Sequence, residues 1–138
     1  MPSVYLHFNG NCREAFEFYR SVFGGEFTTL SAFREAPVDI PHISESDMDK
    51  IMHVSFPVHG DELMGSDLPE SFGLLQGNNF AVNVSPETRE EADALFAALS
   101  EGGSVRMPMS DAFWGAYFGA CADKFGVIWY ISCEDASS

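Results

Sequence analysis

The feature that most constrains the fold of this chain is an order of elements that occurs twice along its 138 residues. Each half begins with an alternating segment typical of a half-buried strand, and then continues into a helix with a capping pattern at its start. Each helix ends at a pair of glycines, and these pairs begin at Gly24 and Gly102, 78 positions apart. Three strand candidates separated by turns follow each pair. The sequence therefore predicts two copies of one strand, helix, strand, strand, strand module.

In the first half, alternation over residues 4–9 predicts the opening strand. Asn11, with Glu14 three residues later, predicts the start of the helix. The later strand candidates are residues 26–34, 50–58 and 62–67. The segment 35–49, which separates the first two of them, is polar and acidic and contains two prolines, so we expect an exposed connection there.

In the second half, residues 79–85 alternate like a strand, and Thr88 with Glu91 forms a second capping pattern. The later strand candidates are residues 104–109, 114–122 and 127–133. Each module has a single helix, which can cover one face of its small sheet. The other faces need a second cover, and another module, a subunit or a ligand can provide it. We therefore expect a cleft lined by the uncovered faces.

The charge of the chain argues against two classes of partner. Seven Lys and Arg residues stand against 21 Asp and Glu residues, which gives a formal net charge of −14 with neutral histidines. Such an excess repels phosphate backbones and anionic lipid, so we expect no nucleic acid and no membrane as a partner. No apolar run approaches the roughly 20 residues that cross a bilayer. The first residues also lack the pattern of a secretory signal.

The cysteines indicate a compartment. Cys12, Cys121 and Cys133 are odd in number and have neither the spacing of a zinc site nor that of a Cys-x-x-Cys redox pair. Unpaired cysteines fit the reducing cytoplasm, where we expect the protein to act. We expect all three to be structural, because a free cysteine usually packs as a small apolar residue.

Several segments of the chain match one superfamily. They include Tyr5-Leu6-His7-Phe8-Asn9-Gly10, Leu63-Met64-Gly65-Ser66-Asp67, Phe113-Trp114-Gly115 and Asp123-Lys124-Phe125-Gly126-Val127. On these segments and the duplicated plan, the chain resembles the vicinal oxygen chelate superfamily of glyoxalases, bleomycin-resistance proteins and extradiol dioxygenases, and within it the PhnB-like branch. The resemblance implies one α+β domain over residues 1–138, in which two tandem βαβββ modules, 1–67 and 79–134, form a cupped mixed sheet. This is the glyoxalase/bleomycin resistance/dihydroxybiphenyl dioxygenase fold.

The resemblance also implies a site at four strand positions, which in the superfamily hold a divalent metal, typically through His and Glu. By position in the repeat these are His7, His53, Asn79 and Tyr130. Alternation alone places polar residues on the same uncovered faces, among them Tyr5 and Asn83. We therefore expect these six residues, together with Asp67, to bind a ligand in the cleft.

The donors at these four positions favour a site without metal. They are two imidazoles, an amide and a phenol, whereas hard and borderline cations prefer a set that includes carboxylates. We expect a cavity that binds a small molecule with no cofactor. The alternative is a divalent metal, such as zinc, nickel, manganese or iron, held by His7 and His53 with Asp67 or a substrate oxygen completing the coordination. That alternative implies a glyoxalase-type lyase or isomerase, or a dioxygenase.

Aromatic and methionine side chains of the matched segments are candidates for an apolar wall of the cavity, with the sheet core as the alternative. They are Met64, Met107, Met109, Phe113, Trp114 and Tyr117. We assign Trp114 to the ligand site. The PhnB-like branch is often labelled a methyltransferase, but the chain lacks the pattern of a Rossmann-type cofactor unit, so we do not expect methyl transfer.

The open sheet faces bear on assembly as well. One helix per module leaves an apolar face of each sheet without cover, so we expect a homodimer. The resemblance adds that the two subunits can exchange modules.

Overall fold

The computed structural model describes residues 3–36, 44–69 and 73–134. The chain divides into two compact units, Met1–Gln76 and Gly77–Ser138. Each unit contains one α-helix and one four-stranded mixed sheet. This is the α+β architecture that the repeated element order predicts.

The first unit follows the order strand, helix, strand, strand, strand. Its elements are Val4–Phe8 (β1), Cys12–Phe23 (α1), Thr29–Ala32 (β2), Ile51–Val58 (β3) and Asp61–Asp67 (β4). The strands lie in the order β1-β4-β3-β2, with β1 parallel to β4 and the other two pairs antiparallel. The first strand of the unit therefore lies beside the last.

The second unit repeats this topology. Its elements are Val82–Val84 (β5), Arg89–Ser100 (α2), Ser104–Asp111 (β6), Tyr117–Ala122 (β7) and Ile128–Cys133 (β8). The strands lie in the order β5-β8-β7-β6, again with the first strand parallel to the last. The repeat seen in the sequence is thus a repeat of topology.

Each helix packs one apolar stripe against one face of its own sheet. The buried residues of α1 are Cys12, Ala15, Phe16 and Tyr19, and those of α2 are Ala92, Leu95, Phe96 and Leu99. Both sets have the spacing of a helix that is apolar on one side. A close approach in the first unit requires glycine at position 65, because a Cβ there would lie 2.6 Å from Cε1 of Phe16. The helices therefore cover one face of each sheet and leave the other open.

The start of α1 differs from the sequence-based expectation. The Asn11 side chain makes no capping hydrogen bond, so the capping pattern at Asn11 and Glu14 was wrong in detail. The backbone N–H of Cys12 instead donates to Oδ1 of Asp67, which is distant in sequence and buried. In α2 the expectation is confirmed, since Thr88 Oγ1 accepts from the N–H of Glu91 at 3.1 Å.

Three strands also differ clearly in their bounds, and the one expected over 26–34 is shortened to Thr29–Ala32 (β2). Residues 79–85 were expected to form a strand, but β5 contains Val82–Val84 alone, so Asn79 precedes it. The strand expected over 114–122 begins at Tyr117 instead. A turn occupies the earlier positions, in which the N–H of Ala112 donates to the carbonyl of Ala116 and the N–H of Gly115, whose φ is 102°, donates to the carbonyl of Ala112.

The described part of the acidic connection 35–49 is mostly exposed, as expected, with one buried acid. Asp47 is buried and forms a 2.6 Å ion pair with Lys50. Arg34 pairs with Glu45 and Asp49 at the surface. Asp39, another of its acids, lies outside the described residues. The described part of the connection is therefore partly organised by ion pairs.

Cys12, Cys121 and Cys133 are free and buried. Burial, and secondarily the charge of Asp123, raises the pKa of the Cys121 thiol to about 11. Burial likewise raises the pKa of Cys12, with the charge of Asp67 as the next cause. Thiols of this kind are poor nucleophiles at neutral pH. No helix in the described parts of the chain is long and apolar enough to span a membrane.

Candidate functional site

The open face of the first unit carries a cluster of imidazoles and hydroxyls. His7 on β1 is in register with Ser66 on β4, and their Nδ1 and Oγ atoms are hydrogen-bonded at 3.2 Å. The Tyr5 hydroxyl is hydrogen-bonded to Nδ1 of His53 on β3, also at 3.2 Å. The Tyr5 ring lies 5.3 Å from the His7 ring and 5.7 Å from the His53 ring, centroid to centroid. The structure therefore brings Tyr5, His7 and His53 together.

The donor chemistry of this cluster does not fit a complete divalent-metal site. His7 and His53 lie on strands that are separated by β4, and one nitrogen of each ring is bonded to a neutral hydroxyl. Glu62 of β4 uses its carboxylate to accept from Ser55 and Thr28. Within the described ranges, no three His, Cys, Asp or Glu side chains are grouped so that they could hold a metal ion.

Asp67 lies away from this cluster. Its side chain is buried, and Oδ1 accepts from the N–H groups of Gly10 and Cys12, each at 2.9 Å. Oδ2 accepts from the N–H of Ile51 at 2.9 Å. Ser66, the preceding residue, points to the histidine face, so Asp67 points to the helix face. The carboxylate thus joins β4 to the start of α1 and to β3, and it is not placed to complete a coordination shell at His7 and His53.

We predict that Asp67→Asn lowers the free energy of unfolding by about 2 kcal/mol, because an amide offers one acceptor oxygen where the carboxylate accepts from three backbone N–H groups. Urea denaturation followed by circular dichroism measures the change. Asp61→Asn is the matched control, since Asp61 begins the same strand at an exposed position. Equal stability of the two variants would contradict the structural role of Asp67.

The open face of the second unit is aromatic. Tyr130 on β8 is in register with Asn83 on β5, so these two side chains are neighbours. The ring of Phe118 lies 5.3 Å from that of Tyr130 and 5.6 Å from that of Trp114. Tyr130 is 43% exposed and Trp114 is 56% exposed, although both are large rings. The three rings form a row that solvent can reach.

A cavity of about 590 Å³ lies beside this row. Its lining includes Asn79, Phe80, Arg106, Met107, Ala120 and Tyr130. Asn79 and Tyr130 were both expected at the site, and the structure brings them to the same cavity. The cavity therefore combines apolar surface with an amide, a phenol and a guanidinium group, and its size is that of a small-molecule pocket.

Arg106 was not among the expected site residues. It is the extra residue of a β-bulge, because Val105 pairs with Cys121 and Met107 pairs with the next residue along β7, Ala120. The bulge interrupts the alternation, and both Arg106 and Met107 line the cavity. A bulge cannot be recognised from the sequence alone. The presence of one arginine in a Met-rich strand of an acidic chain could still have indicated that Arg106 is a candidate site residue.

The topology changes one correspondence between the two halves. Tyr130 lies on β8, the strand that pairs with the first strand of its unit. The counterpart of β8 in the first unit is β4, whereas His53 lies on β3. His53 and Tyr130 are therefore not equivalent in the repeat. The predicted order of strands already contained this difference, because His53 falls on the third strand candidate of its half and Tyr130 on the fourth.

The six candidate wall residues lie in different parts of the structure, and only some of them are near the cavity. Met107 lines the cavity and Trp114 joins the aromatic row. Tyr117 instead donates a 2.6 Å hydrogen bond to Asp93 of α2, which raises the pKa of Tyr117. Met109 also lies on the helix side, against Gly119. Phe113 is 98% exposed and contacts Trp114, while Met64 is half-buried on β4 in the first unit.

The two units define the class to which the protein belongs, the glyoxalase/bleomycin resistance fold. A glyoxalase/bleomycin resistance protein/dioxygenase family enzyme from Burkholderia phytofirmans PsJN has a TM-score of 0.64 to this structure. The sequences are 15% identical, and 95% of each chain is covered. At that identity the likeness shows the fold alone.

The family follows from closer comparisons. A family model described as 3-demethylubiquinone-9 3-methyltransferase matches residues 2–132, and the chain belongs to this PhnB-like family. Protein YjdN from Escherichia coli K12 is 32% identical over 140 residues, which cover 96% of this chain and 95% of that protein.

Two solved structures are also similar. Protein PA1353 from Pseudomonas aeruginosa is 36% identical with a TM-score of 0.83, over 98% of this chain and 99% of that chain. A PhnB protein from Bacillus cereus is 27% identical with a TM-score of 0.77, over 96% and 98%. The resemblance inferred from the sequence motifs is confirmed.

Proposed function

We propose that this protein binds a small molecule in the cavity on the open face of its second unit, without a complete metal site. The observation that carries the proposal is the cavity itself, which lies beside three solvent-accessible aromatic rings. Apolar walls with a few polar groups are the usual composition of a ligand pocket. Aromatic residues that serve the core are buried instead, as Phe16 and Tyr19 of α1 show.

The lining suggests how a ligand is held. A ring or apolar chain can pack against Tyr130 and Met107, where it displaces water from exposed apolar surface. The Asn79 amide can both donate and accept a hydrogen bond, and the Tyr130 hydroxyl can do the same. Asn83, beside Tyr130, extends this polar edge. The chemistry supports a ligand that has both an apolar body and polar groups.

The family description names a methyl transfer, and we do not propose it for this chain. The described residues form two four-stranded mixed sheets, each with its first strand beside its last. A nucleotide-type cofactor usually binds at the carboxyl ends of an open parallel sheet with helices on both faces. The cavity of this chain lies on the face of a mixed sheet instead, and this geometry supports the binding of a small molecule.

A second candidate is supported by the cluster in the first unit. His7 and His53 both contact Tyr5 on the open face, and two imidazoles can bind a borderline divalent ion weakly. This arrangement would serve a metal-dependent lyase, isomerase or dioxygenase of the glyoxalase type. The lack of a nearby carboxylate donor among the described residues makes metal-free binding the better supported of the two.

Binding can be measured with N-phenyl-1-naphthylamine, an uncharged probe that fluoresces in apolar sites. We expect the wild-type protein to bind it, and Tyr130→Ala to weaken binding about tenfold through the loss of aromatic contact. Tyr130→Phe should keep most of the affinity, because it keeps the ring. Val105→Ala is the control, since Val105 is exposed and absent from the cavity lining.

Two outcomes would contradict this proposal. Absence of probe binding by the wild-type protein would remove the small-molecule site. Equal affinities of the wild type and Tyr130→Ala would place any binding elsewhere on the molecule.

Metal binding can be tested by titrating the purified protein with zinc, nickel and manganese in a calorimeter. We expect no stoichiometric binding at micromolar protein, because the two imidazoles have no carboxylate partner among the described residues. Stoichiometric binding that disappears in the His7→Ala, His53→Ala double variant would overturn this expectation. It would favour the metal-dependent candidate.

We propose that the protein forms a homodimer. The support is apolar exposure in the second unit, where Phe113 is 98% exposed and Trp114 is 56% exposed. A second copy can cover such a surface with an identical patch. Equilibrium sedimentation at micromolar concentration should give twice the chain mass of 15.2 kDa, and a species of 15.2 kDa alone would contradict the dimer.

We also propose the cytoplasm as the compartment in which the protein acts. The three free, buried thiols support this, because a reducing environment keeps such groups from oxidation. The acidic composition is compatible with it, since a high net charge keeps proteins apart in a concentrated solution.

A further inference from the structure

The charge at the cavity is unusual for this chain. The formal net charge is −14, yet the cavity lining includes a cation, Arg106. None of the described residues that line the cavity is Asp or Glu. Arginine is a strong recognition group for carboxylate and related anions, because its planar guanidinium group offers several donors at once.

Four of the six other Lys and Arg residues are paired with carboxylates. Such pairs hold Arg20, Arg34, Lys50 and Arg89. Over the described ranges, no carboxylate lies within ion-pair distance of Arg106. Arg106 is exposed and lines the cavity, so in a protein with three Asp or Glu residues for every Lys or Arg its guanidinium group is available to an anionic ligand.

The backbone gives a second, independent reason. In a regular strand, Arg106 and Met107 would point to opposite faces of the sheet. The bulge between Val105 and Met107 changes this, and both side chains line the cavity. Bulges of this kind re-aim side chains and are frequent beside functional sites. The guanidinium group and an apolar side chain therefore lie at one site.

We propose that Arg106 recognises the acidic group of an amphipathic ligand, whose apolar or aromatic body packs against Met107 and Tyr130. The ligand class is an organic acid with one anionic group joined to an apolar framework. This inference rests on the proposed function, because it assigns the chemical class of the molecule bound in the same cavity.

The test uses two probes that differ in one group. Anilinonaphthalene sulfonate carries an anionic group on the same aromatic framework as N-phenyl-1-naphthylamine, which is neutral. We expect Arg106→Gln to weaken sulfonate binding about tenfold, which corresponds to the loss of one charged hydrogen bond. The same variant should bind the neutral probe within about twofold of the wild type, since its apolar contacts remain.

Arg13→Gln is the matched control. Arg13 is exposed on α1 in the first unit, and its substitution changes the net charge by the same amount. We expect this variant to bind both probes like the wild type. Arg106→Lys keeps the charge without the planar group and should lose less sulfonate affinity than Arg106→Gln. Added salt should weaken sulfonate binding to the wild type more than neutral-probe binding.

Three results would overturn the inference. Equal losses of sulfonate affinity in Arg106→Gln and Arg13→Gln would show an effect of net charge alone. Equal losses for both probes in Arg106→Gln would give Arg106 a packing role. Unchanged sulfonate affinity in Arg106→Gln would remove it from the site. In each case binding of the neutral probe to the wild type would leave the proposed function standing, whereas its absence would remove the proposed function itself.

Discussion

One helix covers one face of each four-stranded sheet, and the rest of the structure depends on this one-sided cover. The apolar stripes of α1 and α2 are each sufficient for a single face. Residues that alternate away from the helices therefore remain accessible within each unit. The imidazole cluster at His7 and the aromatic row at Tyr130 both occupy such faces. These residues are accessible because no helix packs over them. Their side chains can therefore differ between the two units while the topology stays the same.

A buried carboxylate organises the helix side of each unit. Asp67 accepts three backbone N–H bonds from the start of α1 and from β3. Asp123 accepts backbone bonds within the turn before β8, and also the indole N–H of Trp129. Buried carboxylates need such partners, because an unpaired charge in the interior is costly. Asp67 and Asp123 therefore have structural roles.

The sequence predicted the topology well because its signals are local. Helix spacing, glycine stops and alternation each depend on a few neighbouring residues. The long-range features were missed for the same reason. Asp67, rather than Asn11, caps α1 from a distant strand, and the sequence around Asn11 does not contain that information. Asn79 was correctly expected near Tyr130 but wrongly placed on a strand, and Arg106 was missed because a bulge in β6 aims it.

The two open faces differ in the groups that they offer a ligand, and the difference favours the proposed metal-free binding over the metal-dependent candidate. The first offers His7 and His53, whose Nδ1 atoms are already bonded to hydroxyls, so a metal ion would have to bind through the remaining ring nitrogens without a carboxylate placed beside them. The second offers a cavity in which apolar surface, the Tyr130 hydroxyl and the Arg106 guanidinium group are all available. Burial of exposed apolar surface favours association, and a charged group that gains a hydrogen-bonded partner adds to it. The second face therefore has more to gain from a ligand, and an acidic ligand gains the most because it pairs with Arg106.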